Sequence, residues 1–461
     1  MSYGKHTYDG GRQKSRLPLI LILIVLALAA VAFSATALVR ALHDKDPLPD
    51  VGKKDNPSQE EQNPDAQPPA DSADAAAQRA KLMEEVEYLI RGYYYDEAIQ
   101  ALENCGELAN TETAARAQDV RQMKESLVKW DNSQYYHIFF HSLAADTAKT
   151  FDGDSEEAGY DMFMTTVSEF QAMLPLLQEE GYILYDLTDM VERVDGKTVL
   201  KDIYLPAGKK PLVLSVDDVN YYGYMLDDGF ASRLDVDDEG NIVTIMGGTI
   251  VDHGQKVLTV DGGTPTYDGD VMPILDAYVK EHPEFSWRGA KGIVAVTGYA
   301  GAFGYRITDL ELFDQATQDW MLERTKAVAQ ALRANGWQIA CHSYTHNQYW
   351  NKKTITMEQE KYDIGRWLGE IAPYVGDTNI FISPFGVSFD GSDERFRYLV
   401  DNGFYIYCPV DSNMPCYVRE DYMIQGRINL DGLTMKSYPQ RVSKYFFDPT
   451  PILDQIGRAH V

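Results

Sequence analysis

Two short tracts hold the residues whose types and spacing could do chemistry. Asp217 and Asp218 follow the apolar run Pro211-Leu-Val-Leu-Ser-Val216, and His342 and His346 stand four residues apart after Trp337-Gln-Ile-Ala-Cys341. One carboxylate and two imidazoles make an open three-ligand site for a divalent cation, with positions left for water and substrate. The second carboxylate is then free to act as a base on that water. An Asp-Asp pair at a strand end often only closes a loop, and a lone His-x-x-x-His is often ordinary surface or core. Here both follow apolar, strand-like runs, in a chain with 9 histidines. Their coincidence points to a metal-dependent hydrolase. With Asp218 as the ligand, Asp217 lies in the cation's field, ionised yet able to accept a proton from acidified water.

These side chains need strands and helices to hold them. From Tyr136 onward, short β-rich runs alternate with helical segments. Strands are expected at 137–140, 182–186, 211–216, 292–297, 337–341, 380–383 and 404–408. An amphipathic helix is expected over 162–180, kinked or broken at Pro175, and another over 318–335, ended by Gly336. Repeated β-α units imply parallel strands, and functional groups at strand C-termini favour a barrel over an open sheet. Between Asp235 and Gly263, alternating apolar residues and Gly/Asp turns predict an inserted β-hairpin, followed by a helix over 271–281. Upstream, residues 77–132 predict a helical hairpin, with Leu82, Val86, Leu89 and Ile90 on one face. Its Gly92-Tyr-Tyr-Tyr-Asp-Glu-Ala-Ile99 stretch resembles part of a tetratricopeptide repeat, although one unit cannot form a solenoid.

Leu17 to about Val39 is apolar and uncharged, long enough to cross a bilayer of ~30 Å. Lys5, Arg12, Lys14 and Arg16 precede it, which places the N-terminus in the cytoplasm. A cleaved signal peptide competes, with a weak site at Ala35-Thr-Ala37, but the apolar core exceeds a usual signal peptide. The expectation is a cytoplasmic tail (1–16), an uncleaved transmembrane helix (17–40) and an extended tether (41–76) leading to an extracellular domain. The formal charge of -28 excludes nucleic acid and any attraction to an anionic membrane surface, so membrane contact is through the anchor alone. Four cysteines supply no disulfide framework; Cys408 and Cys416 could pair across a loop or stay as small buried residues, and Cys341 reads as strand packing. Residues 455–461 read as a non-native tail, and His460 is excluded from the chemistry.

Val213-Leu-Ser-Val-Asp-Asp218 and His342-Ser-Tyr-Thr-His346 resemble the Asp-Asp and His-x-x-x-His motifs of NodB-type polysaccharide deacetylases, carbohydrate esterase family four. The resemblance covers residues 133–454. It implies a distorted (β/α)7 barrel, a divalent metal such as zinc, and removal of N-acetyl groups from an amino-sugar polymer. It makes Asp217 the base, and Asp218, His342 and His346 the metal ligands. Ser383-Pro-Phe-Gly386 resembles a degenerate form of the family's oxyanion motif, which assigns Pro384 and Phe385 to that role. The arginine that orients the base in the family is not evident at the matching place. Gln425-Gly-Arg-Ile-Asn-Leu-Asp-Gly432 lacks the family's C-terminal histidine. Ile138-Phe-Phe-His-Ser-Leu143 instead resembles the acid-bearing N-terminal strand of circularly permuted relatives, such as poly-N-acetylglucosamine deacetylases. That resemblance makes His141 the acid, with His137 as the alternative. Tyr221, Tyr222, Tyr344, Tyr349 and Trp350 could stack on sugar rings or serve as packing. Peptidoglycan is the nearest polymer for an anchored extracellular domain. The alternatives are a secreted poly-N-acetylglucosamine, a catalytically inactive wall-glycan-binding module, or an amidase for non-sugar amides.

Overall fold

The computed structural model describes residues 73–132, 134–251, 258–259, 262–455 and 457–458. The expected cytoplasmic tail, anchor and nearly all of the tether lie outside them. Among the described residues no helix is long and apolar enough to cross a membrane.

Three helices come first: α1 (Ala73–Arg91), α2 (Tyr95–Glu103) and α3 (Thr111–Glu125). Asn110 and Thr113 form a capping box that starts α3. After them the chain alternates. Strand β1 (Tyr136–Phe140) leads to helix α4 (Val167–Glu179), then β2 (Tyr182–Leu184) and β3 (Lys210–Val216). An insertion follows, with β4 (Ala231–Val236), β5 (Ile242–Met246) and β6 (Thr264–Thr266) in a three-stranded antiparallel sheet. Helix α5 (Val271–Glu281), β7 (Ile293–Val296), α6 (Gln315–Ala334) and β8 (Gln338–Cys341) come next. The series closes with α7 (Met357–Arg366), β9 (Ile380–Ile382), α8 (Glu394–Asp401), β10 (Ile406–Cys408), β11 (Cys416–Val418), β12 (Met423–Gln425) and β13 (Ile428–Asn429).

The fold is mixed α/β, built on one ten-stranded sheet that curls into a half-barrel. Its order is β11-β12-β10-β9-β8-β7-β3-β1-β13, and β2 joins the lower half of β3. Every pairing is parallel except β11 with β12. Parallel strands buried on both faces should be apolar throughout, and β3 is buried from Pro211 to Val216.

Alternate side chains of each strand feed two separate cores. Ile138, Leu214, Val296, Ile339 and Phe381 pack outward against helical residues such as Phe170, Leu275, Val328 and Leu399. Val213, Ala295, Ala340, Ile382 and Cys408 pack inward, in one cluster with Val86, Ile90, Tyr93, Ala98 and Val120 of the first helices. Those helices therefore share one apolar core with the inward-facing residues of the sheet. Tyr93 stacks on Trp287 with centroids 5.0 Å apart, and Arg91 Nη2 donates to Glu284 at 2.8 Å.

Two local expectations are corrected. Pro175 lies inside α4 without breaking it. It is exposed, so the carbonyl it leaves unbonded faces water rather than core. The interruption comes earlier, at Met164–Thr166, where Thr166 and Glu169 form a capping box that restarts the helix. Cys408 and Cys416 do not pair: all four cysteines are free. Strand β12 stands between the strands that carry them, a gap of about 9–10 Å that no disulfide spans.

Candidate metal centre

β3 ends with the Asp217 N–H donating to the Phe140 carbonyl at 2.8 Å, so Asp217 still belongs to the sheet and points inward. Asp218 then turns into left-handed backbone, with φ of 56°. That turn swings its carboxylate to the side Asp217 already faces. The loop beyond is pinned by buried polar groups. Arg306 Nη1 donates to the Asn220 and Ala300 carbonyls at 3.1 and 2.9 Å, and its Nη2 to Tyr221 at 2.6 Å. The Tyr222 hydroxyl donates to Asp218 Oδ1 at 2.6 Å, which fixes the carboxylate's rotation.

The His342–His346 segment is not a helical turn. Ser343 and His346 both take left-handed backbone, with φ of 62° and 43°. Their strain is offset by Asp363, which accepts from the backbone N–H groups of Tyr344 at 2.6 Å and Thr345 at 3.0 Å, and from the Thr345 hydroxyl. His342 Nδ1 lies 2.8 Å from the Ile382 carbonyl, so this nitrogen carries the hydrogen and Nε2 is left bare. His342 Nε2 is 3.9 Å from Asp218 Oδ1, and His346 Nε2 is 4.0 Å from Oδ2. Asp218, His342 and His346 each offer one ligand atom, and these atoms lie within 4.8 Å of one another, a group that could hold a metal ion. Two imidazoles and a carboxylate suit a divalent cation, and the His342 Nε2 left free by the Ile382 contact fits that use.

Asp217 is clamped by a residue that the sequence reading did not single out. Arg427 donates from Nη1 to Oδ1 at 2.6 Å and from Nη2 to Oδ2 at 2.8 Å. The guanidinium is fully buried, lies over the Phe139 ring at 4.1 Å and also donates to the Cys408 carbonyl. An arginine therefore does sit on Asp217, but it comes from the tract between β12 and β13 rather than from the segment around Pro384. The available signal was an arginine in the apolar, strand-like tract Met423–Ile428, a place where a cation needs a buried acid.

His141 follows the tip of β1, with Nδ1 3.2 Å from the Phe163 carbonyl, and lies within electrostatic reach of Asp217, Asp218 and His346. His137 lies two side chains deeper on the same strand, fully buried, with Nε2 3.0 Å from Ser215 Oγ. Phe385 takes left-handed backbone at φ of 55°, and its ring lies 4.2 Å from that of His346. Its N–H has no backbone partner among the described residues. Pro384 is buried behind it. Of the aromatic candidates, Tyr221 and Trp350 are core residues. A cavity of about 380 Å³ beside Asp218 and His346 is lined by Tyr222, Tyr224 and Tyr299, opposite Thr345 and Asn347. Tyr224, 60% exposed, stacks face to face on Tyr222.

Charge settles the protonation states. Burial pushes the Asp217 carboxyl up, but Arg427 and His342 outweigh it and leave it below the usual carboxylate range. Burial also opposes ionisation of Asp218, which the neighbouring His346 and His342 imidazoles more than reverse. Burial lowers the His346 imidazole against the pull of Asp218. Both acids are thus anions. Comparison with protein-family models, with curated proteins and with solved structures finds no match to this chain.

Proposed function

We propose that this chain is a polysaccharide N-deacetylase of the NodB type in the circularly permuted arrangement. Its curled sheet is then read as that family's distorted (β/α)7 barrel. The observation that carries the reading is the Arg427-clamped Asp217 beside the Asp218–His342–His346 group. Such a pairing separates one carboxylate for proton transfer from another for a cation, the division of labour that amide hydrolysis needs.

Asp218, His342 and His346 would hold the cation, zinc being the choice their donor set suits best. When bound, it would acidify water and polarise the substrate's acetamide carbonyl. Asp217 takes the proton from the attacking water, with Arg427 holding both oxygens of its carboxylate in place. The Phe385 N–H donates to the developing oxyanion, and His141 hands a proton to the departing amine. The substrate is an extracellular amino-sugar polymer, peptidoglycan in the first instance and secreted poly-N-acetylglucosamine in the second. The domain works outside the membrane, held by the single N-terminal anchor.

Acetate release from peptidoglycan and from N-acetylglucosamine oligomers tests this. It should vanish on chelation and return with zinc. Asp217→Asn should lower it by about 10²–10⁴ while zinc is still bound. A protein that holds zinc but releases no acetate from either polymer is a glycan-binding module instead.

A further inference from the structure

Below Asp217 and Arg427 the concave face holds polar groups that the proposed reaction does not use. His137 and Ser215 are both fully buried. Arg427 Nη1 donates to Ser215 Oγ at 3.3 Å as well as to Asp217. Ser215 Oγ is in turn 3.0 Å from His137 Nε2. A guanidinium can only donate, so the serine oxygen receives its hydrogen from Arg427 and keeps one hydrogen of its own to give. Its other side-chain partner among the described residues is His137 Nε2, and no other described side chain offers an acceptor for that hydrogen, which favours donation to Nε2. Nε2 is then the bare nitrogen of a neutral ring, and the ring hydrogen sits on Nδ1. Burial, then the Arg427 charge, holds this imidazole well below the usual histidine range, in keeping with a neutral ring.

Nδ1 of His137 is buried without a partner among the described residues, and so is Oε1 of Gln425. Both residues touch Met414. The His137 N–H lies 3.4 Å from its sulfur, and Gln425 Nε2 donates to its carbonyl at 3.5 Å. No described group accepts from Nδ1, so the run of described partners ends at the His137 ring.

We infer that Arg427, Ser215 and His137 form a buried hydrogen-bond chain running one way, each group donating to the next. Within it, His137 and Ser215 are positioning residues that hold the guanidinium on Asp217. The existence of the chain is independent of the enzyme reading, whereas its role rests on Asp217 being the base.

Selective ¹⁵N-histidine labelling and a long-range ¹H–¹⁵N spectrum of the intact protein test it. One ring, absent from the spectrum of His137→Gln, should show the neutral Nδ1–H tautomer unchanged between about pH 5 and pH 8. Glutamine offers an acceptor where Nε2 stood, so His137→Gln should keep most of the acetate-releasing activity. His137→Leu should lose kcat by about 10-fold or more, with KM and zinc content unchanged. A ring that titrates in that range, or that carries its hydrogen on Nε2, overturns the chain. Equal activity of the leucine and glutamine variants overturns the positioning role. If the wild-type protein releases no acetate at all, the enzyme reading fails, and the tautomer alone still decides the chain.

Discussion

Asp217 and Asp218 are neighbours in sequence with different surroundings, and the difference assigns their roles. Asp217 is gripped by a cation through both oxygens, whereas Asp218 has one oxygen held by Tyr222 and faces two imidazoles. Tyr222 should therefore matter to metal affinity. Tyr222→Phe is expected to weaken zinc binding by about 10–100-fold, measured by competition with a chromophoric chelator, because the carboxylate loses the donor that orients it. Unchanged affinity would show that the loop alone sets its rotation. Both acids and both histidines were legible in the sequence, since each follows an apolar strand and has few alternative uses. Tyr222 and Arg427 were not legible, because nothing local distinguishes a tyrosine that meets a ligand four residues back, or an arginine that meets an acid 210 residues earlier in the chain. The rings of Tyr224 and Tyr299, 60% and 40% exposed beside the metal group, make an aromatic wall suited to sugar faces. Tyr224→Ala with Tyr299→Ala should raise KM several-fold for a chitin tetramer and leave it unchanged for a small acetylated amine. An equal effect on both substrates would remove the wall from recognition.

At the scale of elements, strand ends place the chemistry and loop strain aims it. The sequence placed seven of the ten strands of the central sheet to within two residues, because apolar runs between turn signals are a local property, but the short β11, β12 and β13 were not expected. Four-residue spacing would bring the two histidines to one side on a helical turn, but the His342–His346 loop is not one. It instead uses two left-handed residues held by Asp363, an acid supplied by α7 and invisible to a local reading. Close approach adds to the constraint: a Cβ on Gly298 would lie 2.0 Å from the Tyr344 ring, so no larger residue fits there. One turn before Asp363, Glu360 is fully buried, and neither carboxylate oxygen has a hydrogen-bond partner among the described residues. Burial raises its carboxyl from 4.5 to about 9. The folded chain thus keeps a proton that the unfolded chain releases near 4.5, so stability is full below that value and falls as pH rises toward 9. Glu360→Gln should raise the unfolding midpoint by several degrees at about pH 8 and little near pH 4, read by circular dichroism. The same gain at both pH values would refute the linkage.

For the whole molecule, the two faces of the curled sheet belong to two cores, and the first three helices complete one of them. Removal of residues 73–127 should leave Val213, Ala340, Ile382 and their neighbours facing water, and the remainder should aggregate or bind an apolar dye. A soluble remainder with a cooperative unfolding transition would show that those helices are dispensable. The sequence made the helices visible but gave no sign of which surface they cover, because an apolar stripe names no partner. The order of the functional groups along the chain has one more consequence. All three candidate ligands have been synthesised once residue 346 is made, whereas the guanidinium that grips Asp217 arrives only with residue 427. A nascent chain thus carries all three side chains before it has Asp363 and Ile382, which orient the histidines, and the group takes its final shape only when the last parallel segments dock beside the first.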